Sequence, residues 1–579
     1  MTYDKDQDLR TGIAGVHDVL GRENINVDMK KTEEVKRVES IFLPQPESFK
    51  NKTINFTLIQ LPHDERSGTA VFPLGLGYLA RILRDIGVTV KIIDAHAEQL
   101  SVDDVVLKIN EQKPDFVGIG ALSTQYGIVK LFSKKIKKLL PDVPIIVGAQ
   151  LAHYSYDVVL KNTLVDVCVV GEGEITIQDL VYNFNKLENV KGIAFRDPNG
   201  NVVQNAPRQR IKNPDIIPFP AWDLFHMDYY LTAGFFGSSS KRTMNVLASR
   251  GCPYSCTFCS LSFPNVTYRS SENVIAEILE LKNLYGVDGI IFSDELFVIS
   301  KKRVLDFCEK IKPVGIEWGG QGRANVVNDD KDFLKAMKDA GAVYIGYGLE
   351  SATDEILSSM MKKTSRQQNY NAVDAARSVG LKVVAQYMMG FPGENLNSIR
   401  ETVKFFKELD YCPPLGLETQ PFISLTTALP GSQLYVDCLA SGLIKDEDEY
   451  LEQITTGYFY NKEVVVNLTD FSDEELLGFK MAAEQEIYEN VVNNAIKNNR
   501  FFVYKFLIER IIREVKLHGI KHTLAVIKQK LKKIILKSLR EPRNIFDKSN
   551  LLPSMQTDYI TRTDYRRLLK DGLSKKESE

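Results

Sequence analysis

The sequence has few cysteines and no long apolar segment, and both absences exclude whole classes of protein. Seven cysteines among 579 residues are too sparse for a disulfide scaffold, and the odd number indicates reduced thiols in the cytoplasm. No apolar run approaches the roughly 18 residues that a membrane span needs. The polar start, MTYDKDQDLR, lacks the apolar core of a secretory signal. Lys and Arg (73) nearly balance Asp and Glu (75), so the overall charge does not indicate nucleic-acid binding.

What is present is a long alternation of strand and helix patterns. Residues 1–51 show little periodicity and predict an N-terminal extension. Over residues 52–190, short β-branched runs alternate with helical patterns, which predicts a parallel, doubly wound, Rossmann-like domain with its ligand at the carboxyl ends of the strands. The five runs are FTLIQLP, VTVKIID, DFVGIGAL, PIIVGAQ and VDVCVVGEGE.

A second alternating series follows a connector at residues 191–240, in which GIAFRDPNGNVV predicts a hairpin. Residues 241–465 predict a partial (β/α) TIM-type barrel with its chemistry at the strand carboxyl ends. Residues 466–579 predict a helical, basic C-terminal region. The fold class is therefore α/β, with two domains in series and a helical extension. The six barrel runs are NVLAS, GIIFSDE, IEWGGQG, YIGYGLES, KVVAQYMMGFPG and, less clearly, ETQPFISL.

The strongest motif is SRGCPYSCTFCS, which places Cys252, Cys256 and Cys259 directly after the first barrel strand. Three thiolates so close in one loop can converge on a soft metal centre. An iron–sulfur cube normally takes four thiolates, so three ligands leave one metal position open for chemistry. The alternatives are chance cysteines, or a zinc loop closed by a remote fourth ligand such as His226 or Cys308.

On these residues the chain resembles the radical S-adenosylmethionine enzymes, which hold a 4Fe-4S cluster by this spacing after the first strand of a partial barrel. The resemblance implies that the open iron binds S-adenosylmethionine and that an electron from the cluster releases a 5'-deoxyadenosyl radical. It also implies cofactor contacts in the family's order along the barrel. These candidates are Phe258, Asp294, Glu295, Arg323, Glu350, Ser351, Gly390 and Glu394.

Each of these barrel motifs has a plainer interpretation when it is taken alone. Asp294 and Glu295 are also typical of helix caps, Glu350 of a surface acid, and the sequence from Gly390 to Gly393 of a turn. Arg323 is a reasonable carboxylate partner because guanidinium binds carboxylate bidentately. Their common placement at successive strand ends favours the family interpretation.

The first domain resembles that of the cobalamin-binding subclass, through PLGLGYLARILRDIG, KIIDAHAE, VGIGALSTQY and VVGEGEITIQDL. The resemblance implies a corrin across the strand carboxyl ends, where small residues let the backbone approach a flat macrocycle. His96 departs from the cobalt-ligating pattern of the mutases because it follows the second strand, and His63 in the first-strand loop has no supporting pattern. The cobalamin candidates are Gly120, Ser123, Gly148, Gly171 and Gly173.

Within that subclass the usual activity is methyl transfer to an unactivated carbon, with cobalamin carrying the methyl group. We therefore expect a cobalamin-dependent radical methyltransferase. The alternative is a radical cyclase or carbon–carbon bond-forming enzyme of lipid or tetrapyrrole metabolism, in which cobalamin transfers no methyl group. A third hypothesis is a non-enzymatic cofactor carrier. The metal position left open by three cysteine ligands argues against it.

The partners expected from this resemblance are a small-molecule or lipid substrate and a low-potential electron donor of the flavodoxin or ferredoxin type. Residues 497–543 hold 14 Lys or Arg against three acids. This amphipathic segment is interpreted either as a solvated helix face on the barrel or as a peripheral contact with the inner membrane surface. Nucleic acid is not expected, because few aromatics interleave the basic residues.

Overall fold

The computed structural model describes residues 40–50, 52–62, 71–231, 238–261, 263–409, 423–457 and 463–498. Most of the predicted N-terminal extension and nearly all of the basic segment lie outside these ranges. Every described residue from Ile41 onward belongs to one compact unit. Among the described helices, none has both the length and the apolar character to cross a membrane.

Seven strands form the first sheet in the order β2-β1-β3-β4-β5-β6-β7. The first five strands are parallel, which confirms the predicted doubly wound architecture. The predicted hairpin pairs antiparallel with β5 and so extends this sheet. The strands are β1 (Asn55–Gln60), β2 (Thr89–Asp94), β3 (Phe116–Gly120), β4 (Ile145–Gly148), β5 (Val167–Val169), β6 (Ile193–Arg196) and β7 (Val202–Gln204).

Helices cover the two faces of this sheet, and strand order reverses between β1 and β3, where an open α/β sheet forms its ligand crevice. The loop after β3 contains a 3-10 helix, Ser123–Gln125, which bears directly on that crevice. The α-helices are α1 (Leu74–Asp85), α2 (Val102–Gln112), α3 (Tyr126–Leu139), α4 (Ala149–Asn162), α5 (Gly173–Asn183) and α6 (Met227–Tyr230).

Six parallel strands form the second sheet in sequential order, which confirms the partial barrel. A short antiparallel ribbon, β9 (Ser249–Arg250) with β10 (Thr267–Tyr268), follows the first of them. The sixth predicted run contributes only its final residues to a described strand. The sheet strands are β8 (Thr243–Val246), β11 (Gly289–Phe292), β12 (Glu317–Gly322), β13 (Ala342–Glu350), β14 (Lys382–Met389) and β15 (Ser424–Leu425).

The barrel helices lie on the outer face of the second sheet, and three further helices follow β15. The barrel helices are α7 (Ser271–Tyr285), α8 (Lys301–Ile311), α9 (Ala324–Val327), α10 (Lys331–Asp339), α11 (Asp354–Ser359), α12 (Arg366–Ser378) and α13 (Leu396–Glu408). The later helices are α14 (Gln433–Ala440), α15 (Glu447–Gly457) and α16 (Asp473–Asn498).

Phe72 joins the two sheets at their junction. Its backbone N–H donates to the Asn245 side-chain oxygen at 2.9 Å, and the Asn245 amide donates back to its carbonyl at 3.0 Å. Its ring packs 4.6 Å from the Trp222 ring, within a hydrophobic core that continues through both halves. Burial of this continuous apolar surface fixes the first sheet against the barrel.

Candidate functional site

The loop that carries the three cysteines is closed at its base by the β9–β10 ribbon. Gly251 adopts φ +95°, and a Cβ there would lie 2.4 Å from the Asn265 carbonyl oxygen, so only glycine fits. The next residue, Cys252, donates its N–H to the Phe263 carbonyl at 3.0 Å. These contacts fix the start of the cysteine loop to its return strand.

The three cysteines lie in one loop, and two of them are removed from water. Cys252 and Cys256 are buried, and Cys259 is partly exposed. Burial raises the pKa of Cys252 and, with added repulsion from the Cys256 and Cys252 thiols, raises the pKa of Cys259 to about 12. The Cys252 and Cys259 thiols therefore keep their protons at neutral pH, and metal binding must displace those protons.

The donor set fits an iron–sulfur cube better than a single ion. Within the described ranges, no three His, Cys, Asp or Glu side chains are grouped to hold one metal ion. A cube does not need such grouping, because each thiolate binds a different iron. The remote ligands of the zinc alternative have other surroundings: His226 Nε2 lies 3.6 Å from Glu98 Oε1, and Cys308 is buried in α8.

Arg323 follows β12 and contacts the cysteine loop. One of its guanidinium nitrogens still has no hydrogen-bond partner. Its Nη1 lies 3.6 Å from the Cys256 sulfur, and its guanidinium lies 3.6 Å from the centre of the Tyr254 ring. Nη2 is buried without a hydrogen-bond partner. A buried, unsatisfied guanidinium N–H is costly, and it is available for a carboxylate ligand.

Glu350, at the end of β13, forms an ion pair that the sequence did not indicate. Its Oε1 lies 2.7 Å from Lys362 Nζ, and both side chains are nearly buried. Lys362 also lies 5.5 Å from the Phe258 ring, within the cysteine loop. The hydroxyl of Ser351, the next residue, lies 3.4 Å from that of Thr402 on α13.

Asp294 and Glu295, which follow β11, hold the ribbon at the base of the cysteine loop. Asp294 accepts the Ala248 N–H at 2.8 Å and the Ser249 hydroxyl, while burial raises its pKa to about 6. Glu295 Oε2 accepts the Gly251 N–H at 3.1 Å. These carboxylates therefore position the loop, whatever further contacts a ligand adds.

A carboxylate within the loop after β14 fixes the backbone conformation of that loop. The buried Glu394 carboxylate accepts the Gly390 N–H at 2.6 Å and the Phe391 N–H at 3.3 Å. Burial raises the pKa of Glu394 to about 7, because these two hydrogen bonds only partly offset the loss of water. Gly390 adopts φ +88°, which the sharp turn requires.

The first sheet offers a polar edge at the predicted corrin position. Ser123 and Thr124, in the 3-10 helix after β3, have buried hydroxyls without a hydrogen-bond partner. Gly171, just beyond β5, adopts φ +101° with open space where a Cβ would stand. Unsatisfied hydroxyls and open backbone at the same edge of the sheet fit a large ligand with polar side groups.

Other predicted glycines of this domain are explained partly by packing. A Cβ at Gly173 would lie 3.1 Å from Leu79, so glycine lets α5 approach α1 closely. Gly120 and Gly148 end β3 and β4 at the carboxyl edge of the sheet, as predicted. A Cβ at either glycine would make only ordinary contacts.

His96 lies beside the edge strand β2, one strand away from the crevice between β1 and β3. Its Nε2 is 3.1 Å from the Tyr229 hydroxyl, and the side chain is buried. The contact with Tyr229 accounts for the buried His96 without a role for it as a cobalt ligand. His63 lies outside the described residues.

Helix α4 brings the polar edge of the first sheet to the cysteine loop. The Gln150 amide donates to the Ser260 hydroxyl at 2.9 Å. Burial chiefly raises the pKa of Tyr154 on the same helix, and the charges of Cys259 and Glu295 raise it further. Two candidate ligand-binding faces thus meet across one helix.

Comparison with protein families gives two matches that divide along these two faces. Residues 65–181 match the B12 binding domain, and residues 246–406 match the radical SAM superfamily. The first match ends within α5, and the second begins at the last residue of β8, six residues before the first cysteine.

Three curated relatives match long stretches of this chain. An uncharacterised methyltransferase of Pyrococcus horikoshii is 34% identical, over 67% of this chain and 84% of its own length. Cytidylyl-2-hydroxyethylphosphonate methyltransferase of Streptomyces wedmorensis is 26% identical, over 70% and 83%. Anaerobic magnesium-protoporphyrin IX monomethyl ester cyclase of Rubrivivax gelatinosus is 30% identical, over 58% and 62%.

One solved structure shares the overall arrangement of the fold. It is the cobalamin-dependent S-adenosylmethionine radical enzyme OxsB, with aqua-cobalamin and S-adenosylmethionine bound. The two chains superpose with a TM-score of 0.62 at 18% identity, over 86% of this chain and 78% of that one. At this identity the likeness establishes the fold and leaves the site to be argued from this chain's own residues.

Proposed function

The chain belongs to the cobalamin-binding subclass of the radical S-adenosylmethionine enzymes, and we propose on this basis that it transfers a methyl group to an unactivated carbon. The proposal rests on one observation: the carboxyl edge of the first sheet and the cysteine loop are connected by α4. The buried Ser123 and Thr124 hydroxyls lie at the carboxyl edge of the first sheet, and α4 connects that edge to the three-thiol loop. The two matched relatives that are named methyltransferases support this reading.

When bound, the cluster and the corrin would supply one-electron cleavage of S-adenosylmethionine and a carrier for its methyl group. Cys252, Cys256 and Cys259 would hold the cluster. Burial of Cys252 and Cys256 limits access of water to the reactive centre.

Side chains around the thiols would orient S-adenosylmethionine. Arg323 would bind its carboxylate through the unpartnered Nη2, since a guanidinium presents donors in a planar fork. The Lys362–Glu350 pair would present a fixed dipole beside the cysteine loop. Asp294, Glu295 and Glu394 would act by holding loop backbone in place.

The first domain would hold the corrin at the carboxyl ends of β3, β4 and β5. Gly120, Gly148 and Gly171 would let the macrocycle approach the backbone, and Ser123 would donate to its polar side groups. In this arrangement the carrier would lie next to α4, which contacts the cysteine loop.

Isotope tracing tests the reaction. The anaerobically reconstituted chain is incubated with a reductant, a small-molecule extract and S-adenosylmethionine that carries a deuterated methyl group. We expect S-adenosylhomocysteine, 5'-deoxyadenosine and a labelled small molecule, all lost in the Cys256→Ala variant. Formation of 5'-deoxyadenosine alone, with no label transferred, would overturn methyl transfer.

A second candidate function is radical ring formation, favoured by the match to the Rubrivivax cyclase. The same tracing experiment discriminates the two functions. A cyclase need not produce S-adenosylhomocysteine, and its product carries no label. A product lighter by hydrogen and free of deuterium would therefore favour the cyclase.

A radical S-adenosylmethionine enzyme acts on a small molecule and needs a reductant. We propose a flavodoxin or ferredoxin as that donor, and a cytoplasmic setting in which the basic segment around residues 497–543 contacts anionic lipid at the inner membrane face. Sedimentation with vesicles that contain anionic lipid tests the membrane contact. Loss of binding on deletion of that segment supports it, and no binding by the full chain excludes it.

A further inference from the structure

The segment that follows β5 carries two buried acids at the start of α5. Glu172 and Glu174 flank Gly173 in the sequence GEGE, and each side chain is only 7% exposed. The same segment supplies Gly171, which has open space on its Cα. Glycines and acids therefore alternate along one short segment at the edge of the proposed corrin site.

Both acids bind the arginine that precedes the cysteine loop. Arg250 Nη2 lies 2.6 Å from Glu174 Oε1, and its Nη1 lies 3.3 Å from Glu172 Oε1. Arg250 is thus held between two buried acids, two residues before Cys252.

Glu172 also holds the return strand of the cysteine loop. Its Oε2 accepts the Ile211 N–H at 2.7 Å, next to Arg210. Arg210 in turn donates to the Thr267 hydroxyl at 3.2 Å and lies 4.0 Å from the Phe263 ring. Both ends of the cysteine loop are therefore tied to the loop after β5.

Buried ion pairs of this kind contribute little net stability compared with apolar packing, because their desolvation offsets their attraction. Their best-supported role is to fix one arrangement among several. A continuous apolar core already attaches the two halves, yet apolar contacts are non-directional. The ion pairs of Arg250 with Glu172 and Glu174 are directional, so they fix how the two halves are oriented.

We propose that Glu172, Glu174 and Arg250 are positioning residues that set the placement of the cluster loop relative to the cobalamin face. The proposal rests on the function proposed above. A loosened loop should still support S-adenosylmethionine cleavage, which needs only the cluster. Methyl transfer needs both faces in register and should fail first.

The test uses the full chain with Glu174→Gln, Glu172→Gln and Arg250→Lys, which keep side-chain size and remove charge or fork geometry. Lys130→Met is the matched control. Lys130 forms ion pairs with Asp448 and Glu452 between α3 and α15, a contact that does not involve the cysteine loop. Two quantities are measured: hydrogen exchange of peptides from residues 249–268 without cofactors, and the ratio of S-adenosylhomocysteine to 5'-deoxyadenosine with them.

The expected result is exchange at least tenfold faster across residues 249–268 in Glu174→Gln, with the product ratio reduced about tenfold and iron content unchanged. Lys130→Met should leave both quantities as in the wild type. Faster exchange with an unchanged ratio would reduce these residues to a structural role and overturn the proposal, as would unchanged exchange. A wild-type chain that forms no S-adenosylhomocysteine would instead contradict the proposed function, while the exchange data would still test the ion pairs.

Discussion

Lys362 places its ammonium 2.7 Å from the Glu350 carboxylate, and both side chains lie almost out of reach of water. Glu350 ends its strand with φ +61°, which non-glycine residues rarely adopt. The strand-end acid is thus held in one orientation by a cation from the segment after α11. Removal of one partner of such a buried pair lowers the free energy of unfolding, because the other charge is left uncompensated.

Lys362→Met should leave the Glu350 carboxylate buried and unpaired. We expect the free energy of unfolding to fall by about 3 kcal/mol, because an uncompensated buried charge is strongly destabilising. Equilibrium denaturation of the chain without cofactors measures it. Lys363→Met is the control, since Lys363 is exposed and should change stability by less than about 0.5 kcal/mol. Equal effects of the two substitutions would contradict the pairing.

Gly251→Ala should prevent cluster assembly. Its Cβ would meet the Asn265 and Phe263 carbonyl oxygens at 2.4 and 2.9 Å, so the loop base must shift. We expect iron content after reconstitution to fall by more than half. Gly315→Ala has a similar positive φ but open space, so it should cost about 1 kcal/mol and retain full iron. Normal iron in Gly251→Ala would show that the loop base tolerates displacement.

Arg323→Lys should weaken S-adenosylmethionine binding about tenfold while iron content stays constant, because a lysine lacks the paired donors of the guanidinium. Equilibrium dialysis against the reconstituted protein measures the affinity. The half-exposed Arg242 supplies the control substitution, Arg242→Lys. Unchanged affinity in Arg323→Lys would remove Arg323 from the binding site.

Ser123→Ala should lower corrin affinity about fivefold, the equivalent of one hydrogen bond of about 1 kcal/mol. Stability without the cofactor should not fall, because the Ser123 hydroxyl has no hydrogen-bond partner. Optical titration with aqua-cobalamin measures the affinity, with Ser378→Ala on α12 as control. A drop in apo stability with normal corrin affinity would assign Ser123 to packing.

Glu394 should make stability depend on pH. Its pKa is raised from 4.5 to about 7, so the folded chain keeps a proton that the unfolded chain releases. The stability contribution is complete below about pH 4.5 and is lost as pH rises through about 7. Glu394→Gln does not ionise, so its melting temperature minus that of the wild type should increase from about pH 5 to pH 8. Glu401→Gln, partly exposed on α13, should show no such trend.

The sequence predicted the architecture well because strand and helix periodicity is local. The runs around β1 to β5 and the barrel strands lie where the alternation placed them. Pairing of the GIAFRDPNGNVV hairpin with β5 was not predicted, because the partner of an edge strand depends on the tertiary fold.

The candidate site was predicted only in part, for a physical reason. The cysteine motif is contiguous, and spacing alone indicates its chemistry. Lys362 pairs with an acid twelve residues away, and Arg250 with acids 76 and 78 residues away, at distances that leave no periodic signal. Glu394 was predicted to contact a ligand. In the structure its carboxylate accepts a hydrogen bond from the backbone of its own loop.

The most direct test of the two-cofactor account is the count of iron, sulfide and cobalt after anaerobic reconstitution with cobalamin. The account predicts about four irons, about four sulfides and one corrin per chain, with the Cys256→Ala variant losing the iron and keeping the corrin. Four irons with no corrin would contradict the account, because the face that carries Ser123 and Gly171 would then have another ligand or none.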